Sequence, residues 1–221
     1  MPSVPSRFNG LGIGFAPYLI SPPEDVVRWT VGEPGFDTPR PVVDAAIAAL
    51  NRGETHYTRG PGSMELCTKV SHQINRLWKL NTTPETVMVT PGAKQALLYS
   101  MMVTMESGDE ILIPAPAWPT YEGQAGLLGI RPIFTSTDEN FHPDLENMRQ
   151  SITEKTRCIL INSPNNPTGA VYTPDEIQEI VEIAVEHDLW IISDEIYARL
   201  VWSDWPHVSP ASFPGGAERT L

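Results

Sequence analysis

Cys158-Ile-Leu-Ile-Asn162, Thr173-Pro-Asp-Glu176 and Leu189-Trp-Ile-Ile-Ser193 are read together across residues 158–193, and that reading decides the fold. The first and last are short apolar runs of strand length, rich in isoleucine. Between them Thr173 stands where a helix N-cap belongs, Pro174 at the first helical position and Glu176 three residues after the cap. That arrangement satisfies or removes the amides a helix start leaves unpaired. Ile177, Ile180, Val181 and Ala184 then supply a buried stripe at helical spacing. A strand, helix and strand joined in this way cross over right-handed, so the two strands run parallel and their carboxyl ends meet at one edge.

The same alternation extends toward the N-terminus. Val87-Met-Val-Thr90 reads as a strand followed by a helix over Gln95–Glu106. Glu110-Ile-Leu-Ile-Pro114 reads as a strand, Tyr121–Leu128 as a helix and Arg131-Pro-Ile-Phe-Thr135 as a strand. Strands alternating with helices predict an α/β fold, a mainly parallel sheet covered on both faces in three layers. Further upstream, Val42, Val43, Ala46, Ile47 and Leu50 recur at helical spacing before Gly53, and a second helix is predicted from Ser63 to Leu80. Residues 1–38 are punctuated by proline and glycine without a sustained helical period and read as an extended arm.

Composition bounds the function. The 221 residues carry 15 basic and 27 acidic side chains, a net charge of −12. Such a chain has no general attraction to nucleic-acid backbones or anionic membranes. Cys67 and Cys158 stand far apart without metal-ligand spacing, which suits a reducing, cytoplasmic setting. No apolar run is long enough to span a bilayer, and Met1-Pro-Ser-Val-Pro-Ser-Arg7 lacks a signal-peptide layout. The five histidines lie in unrelated segments, so no metal site is expected.

Ligands of open parallel sheets bind beyond the carboxyl ends of the strands. Three stretches arrive there. Pro91-Gly-Ala-Lys94 opens a helix whose free amides would attract a phosphate, Ser163-Pro-Asn-Asn-Pro-Thr-Gly169 is a rigid polar turn, and Asp194-Glu-Ile-Tyr197 follows a buried strand. Taken singly, each has an ordinary reading as a turn, a loop former or a surface carboxylate. Their convergence on one edge favours a site.

The joint pattern resembles the large domain of the class I and II aminotransferases, the aspartate-aminotransferase-like enzymes of fold type I that use pyridoxal 5′-phosphate. It is carried by Asn162-Ser-Pro-Asn-Asn-Pro-Thr-Gly169 and Ser193-Asp-Glu-Ile-Tyr197. Val31-Gly-Glu-Pro-Gly-Phe-Asp-Thr-Pro39, Tyr57, Pro91-Gly-Ala-Lys-Gln-Ala96 and Pro116-Ala-Trp-Pro-Thr-Tyr121 follow it in the family's order. The resemblance implies a role for each position. Asp194 would pair with the cofactor's pyridine nitrogen, Asn166 and Tyr197 would hold its phenolic oxygen, and Trp118 would stack on its ring. Ala93 and Lys94 would lie in the phosphate turn. Tyr57 would reach the phosphate bound by a partner subunit, making a homodimer part of the site. Gly32 would meet the substrate's α-carboxylate. Residues 1–38 would be an arm and part of a small domain, and residues 39–221 the cofactor-binding large domain.

The resemblance also implies a Schiff-base lysine, and none of Lys69, Lys79, Lys94 and Lys155 stands in the family's lysine motif. It places that lysine beyond Leu221, so only the N-terminal portion of the family's pattern is represented and the chain alone is expected to be inactive. It further places the strand begun by Glu218-Arg-Thr-Leu221 and the next strand between Val87–Thr90 and Cys158–Asn162, which predicts a split sheet with exposed edges. The function implied is amino-group transfer between an L-amino acid and a 2-oxo acid. Other readings are a non-catalytic module docking on a full-length subunit, and lyase or synthase chemistry on the same scaffold. A nucleotide-binding domain is disfavoured because no GxGxxG follows a strand.

Overall fold

A computed structural model describes Gly32 and residues 34–221 of the chain. The predicted arm at residues 1–38 therefore lies mostly outside the described residues. In chain order the elements are α1 (Arg40–Asn51), α2 (Met64–Trp78), α3 (Ala93–Thr104), β1 (Glu110–Pro114), α4 (Thr120–Leu128), β2 (Arg131–Thr135), α5 (Leu145–Gln150), β3 (Thr156–Asn162), α6 (Pro174–Glu186) and β4 (Trp190–Asp194).

The four strands form one parallel sheet in the order β2-β1-β3-β4. Strand side chains alternate between faces, and this period divides the core in two. Leu112, Ile159, Ile161 and Ile191 pack with Ile177, Ile180, Val181 and Ala184 of α6 and with Met148 of α5. Ile111, Ile113, Cys158, Leu160 and Ile192 face the other way, onto Leu97 and Met101 of α3 and Tyr121 and Ala125 of α4. Fully burying an Ile or Leu contributes about 1.5–3 kcal/mol, so both helical layers are held chiefly by these strand residues.

The capping signals act as read. The Thr173 hydroxyl accepts from the Glu176 amide at 3.2 Å, and a Glu176 carboxylate oxygen accepts from the Thr173 amide at 2.7 Å. The same carboxylate meets His142 Nδ1 at 2.8 Å, which ties the 136–144 loop to the start of α6. Ser63 caps α2 by accepting from the Leu66 amide. Gly129 closes α4 at φ 75°, and a Cβ there would overlap the Ser107 hydroxyl.

Three differences from the sequence reading stand out. Val87–Thr90 forms no strand: no described strand lies beside it, and its one backbone ladder-like contact is Val89 N–H donating to Pro61 O at 2.9 Å. An apolar β-branched run becomes a strand only when a neighbour satisfies its amides and carbonyls. The four strands are contiguous and Val87–Thr90 stands apart from them, so the expected split falls between that run and the sheet, while Thr220 bridges Ile191 on the outer side of β4 and not beside β3. The helix α5 went unread because six residues give too few turns for a period to show.

Candidate active site

The carboxyl ends of β1, β3 and β4 open on one edge, and the alternation along each strand decides which side chains face α3 and α4 there. In β3, Cys158 and Leu160 lie on that face, so Asn162 does too; in β4, Ile192 does, so Asp194 follows. Asn162 and Asp194 are paired in register. The Asn162 amide donates to the Asp194 carbonyl at 2.9 Å, while its carbonyl oxygen accepts from the Asn166 amide at 2.7 Å. One buried side chain thus ties the loop after β3 to the end of β4.

Asp194 is only 7 % exposed. Its Oδ2 accepts from the Tyr121 hydroxyl at 2.8 Å and its Oδ1 accepts a longer bond, 3.3 Å, from the Ile196 amide. No cationic side chain among the described residues pairs with it. Burial, and then the charge of Asp194, push the ionisation of the Tyr121 phenol far above its ordinary range, with Tyr197 adding to the effect. Tyr121 therefore stays protonated and is the donor.

Trp118 sits in the loop after β1 with its ring edge-on to Tyr121, centroids 5.6 Å apart and planes at 83°. Lys94 Nζ lies 5.2 Å from the centre of the same indole, and the Gln124 amide donates to the Lys94 carbonyl at 2.8 Å, fixing the start of α3 against α4. Gly92 precedes that helix at φ 86°, a backbone conformation costly for any other residue, and leaves the first amides of α3 without a side-chain cap. These amides carry the positive end of the helix dipole.

In the loop after β3 the two asparagines part company. Asn165 is buried, and its carbonyl oxygen accepts from both the amide and the hydroxyl of Thr168. The neighbouring Asn166 is half-buried, and its carboxamide makes no hydrogen bond among the described residues; the Tyr197 hydroxyl, also half-buried, makes none either.

The structure thus brings Asp194, Asn166, Tyr197, Trp118, Ala93 and Lys94 to one edge. For Tyr57 and Gly32 it shows no such contact among the described residues. Tyr57 is fully exposed, and nothing lies within 4 Å of where a Gly32 Cβ would be. Two residues of this edge escaped the sequence reading, Tyr121 and Asn162. Each lies inside a motif that gives it no role, because its partner is 73 or 32 residues away. The alternation of β3 and β4 was the available signal for Asn162.

Comparison with known proteins places the chain. Residues 24–214 match the model of the aminotransferase class I and II family. The chain belongs to that family, whose members depend on pyridoxal phosphate. It is 41 % identical over 199 residues to a bifunctional aspartate aminotransferase and glutamate/aspartate-prephenate aminotransferase of Petunia hybrida, covering 89 % of this chain and 42 % of that protein. It is 41 % identical over 188 residues to an aspartate aminotransferase of Thermotoga maritima, covering 84 % and 50 %. Among solved structures, Thermus thermophilus aspartate aminotransferase with maleate superposes with a TM-score of 0.82 at 38 % identity, covering 86 % of this chain and 50 % of that one. The chain spans about half the length of the curated relatives it matches. Among the described residues, no helix is long and apolar enough to cross a membrane.

Proposed function

We propose that this chain supplies the cofactor-holding part of a pyridoxal-phosphate-dependent aminotransferase that moves an amino group between an L-amino acid and a 2-oxo acid. One observation carries the reading: a buried carboxylate, Asp194, has no cationic partner among the described residues, and at the same edge the side-chain tips of Asn166 and Tyr197 make no hydrogen bond among those residues. A buried anion of this kind is costly unless a donor completes it. A protonated pyridine nitrogen is such a donor, and a phenolic oxygen suits the Asn166 amide and the Tyr197 hydroxyl. The residues present fit the group.

When bound, the cofactor supplies an electron sink for the pair released as the substrate's α-carbon loses its proton. Asp194 would hold a proton on the ring nitrogen by charge and hydrogen bonding, which would maintain that sink. Asn166 and Tyr197 would hold the ring at its phenolic oxygen, and the Trp118 indole would stack on it. The amides at Ala93 and Lys94, at the positive end of α3, take the phosphate. The names of the relatives point to aspartate and glutamate as amino donors and to prephenate as an acceptor for the substrate class. The full exposure of Tyr57 supports a role in a homodimer, reaching the phosphate bound by the partner subunit, and Gly32 remains the proposed contact for the substrate carboxylate.

Titration with pyridoxamine 5′-phosphate, followed by quenching of tryptophan fluorescence, tests the site without requiring a lysine. The wild-type chain should bind one equivalent, and Asp194→Ala should weaken binding at least tenfold while leaving the chain folded. Equal affinity in the two proteins would remove the basis of the reading.

A further inference from the structure

We propose that Tyr121 is a positioning residue for Asp194: its phenol fixes one carboxylate oxygen, so that the other is presented to the ring nitrogen of a pyridoxal-type ligand. The proposal rests on the cofactor reading above and deepens it by assigning what orients the carboxylate.

Tyr121 is the second residue of α4 and is 1 % exposed. Its ring belongs to the core between the sheet and α3, yet its hydroxyl reaches across to the end of β4 and donates to Asp194 Oδ2 at 2.8 Å. A hydrogen bond to an ionised acceptor is short and directional, so it sets the plane of the carboxylate as well as holding one oxygen. Among the described residues the remaining oxygen, Oδ1, accepts only the 3.3 Å contact from the Ile196 amide. An ionised carboxylate offers about four acceptor sites, so Oδ1 retains the capacity for a strong donor.

Packing explains why the carboxylate holds one orientation. Tyr121 cannot swing away, because Trp118 stands edge-on against its ring and Ala125, one turn further along α4, is fully buried beneath it. Asp194 cannot slide along the strand, because Asn162 holds its carbonyl. The contact between Trp118 and Tyr121 also means that the side chain orienting the carboxylate braces the indole assigned to the ring face. One tyrosine thereby sets the spacing between the wall that covers the ring and the charge that meets its nitrogen. Removing the hydroxyl alone leaves the packing and frees the carboxylate to rotate toward the Ile196 amide.

The test is the pH at which bound pyridoxamine 5′-phosphate loses its ring-nitrogen proton, read from its near-ultraviolet absorbance at saturating ligand. Wild type, Tyr121→Phe, Asp194→Asn and the double variant are compared, with circular dichroism confirming the fold of each. In the wild type the midpoint should lie well above that of the free ligand. Asp194→Asn should abolish the elevation. Tyr121→Phe should lower the midpoint by about one pH unit, a tenfold loss of proton affinity. In the Asp194→Asn background the same substitution should do nothing, which separates positioning from a general packing defect, since a defect would appear in both backgrounds. A midpoint that moves in Asp194→Asn but stays put, or rises, in Tyr121→Phe overturns the positioning role and leaves the cofactor reading intact. No binding by the wild type, or an elevation that survives Asp194→Asn, overturns the cofactor reading and the positioning role with it.

Discussion

Tyr121, Tyr172 and Cys158 are buried with their protons on, and their surroundings keep them there. Burial raises the ionisation of each far above its ordinary range, and the charge of Asp194 adds to it for Tyr121 and that of Glu176 for Tyr172. In the unfolded chain the thiol ionises at about 8.5 and the phenols at about 10. Below those values folded and unfolded chains hold the same protons on these groups, so their neutral burial is fully stabilising. Above them the unfolded chain holds fewer protons than the folded one, so stability falls as pH rises, by about 1.4 kcal/mol per pH unit for each group. Urea unfolding midpoints should therefore drop sharply between pH 8 and pH 11; midpoints that stay level would show that these groups ionise freely in the folded state. At this scale the sequence was partly legible. Asp194, Trp118 and Asn166 could be singled out because motifs surround them. The role of Tyr121 could not, because it is defined by a hydroxyl meeting a carboxylate 73 residues away, and no local pattern encodes that distance.

Among the elements, the loop after β3 shows how a motif divides its labour. Asn165 spends its side chain inside the turn, holding Thr168, whereas the Asn166 backbone amide is held by Asn162 and its side chain is left over. Asn165→Ala should cost about 1 kcal/mol of stability by leaving the half-buried Thr168 amide and hydroxyl without their acceptor. Asn166→Ala should leave the unfolding midpoint nearly unchanged while weakening pyridoxamine 5′-phosphate binding severalfold. Denaturant unfolding and ligand titration of the two variants check this together, and the opposite assignment of effects would contradict the proposed roles. From the sequence alone the two asparagines were distinguishable only through the family resemblance. The helix α6 was more legible, because a capping box and a proline at its first turn are local devices that act within four residues. Val87–Thr90 had the composition of a strand and lacked what composition cannot supply, a neighbour to pair with.

Over the whole molecule, a parallel sheet with a helical layer on each face puts the ends of β1, β3 and β4 and the start of α3 at one edge, and that placement gives the site its chemistry. The fold class was readable because alternation of strand and helix patterns is a long-range regularity built from short-range signals. What lies away from the edge was less readable. α1 buries none of its residues among those described, and Val103 of α3 and Trp202 are 72 % and 88 % exposed. The chain spans about half the length of its relatives, and no sequence pattern within its 221 residues shows what faces this apolar surface. The edge itself is complete enough to be tested directly. A crystal structure of the chain soaked with pyridoxamine 5′-phosphate is the decisive measurement. The account predicts the ring nitrogen within hydrogen-bonding distance of Asp194, the ring oxygen between Asn166 and Tyr197, and the phosphate at the amides of Ala93 and Lys94. A ligand bound elsewhere, or turned so that its phosphate meets Asp194, would contradict it.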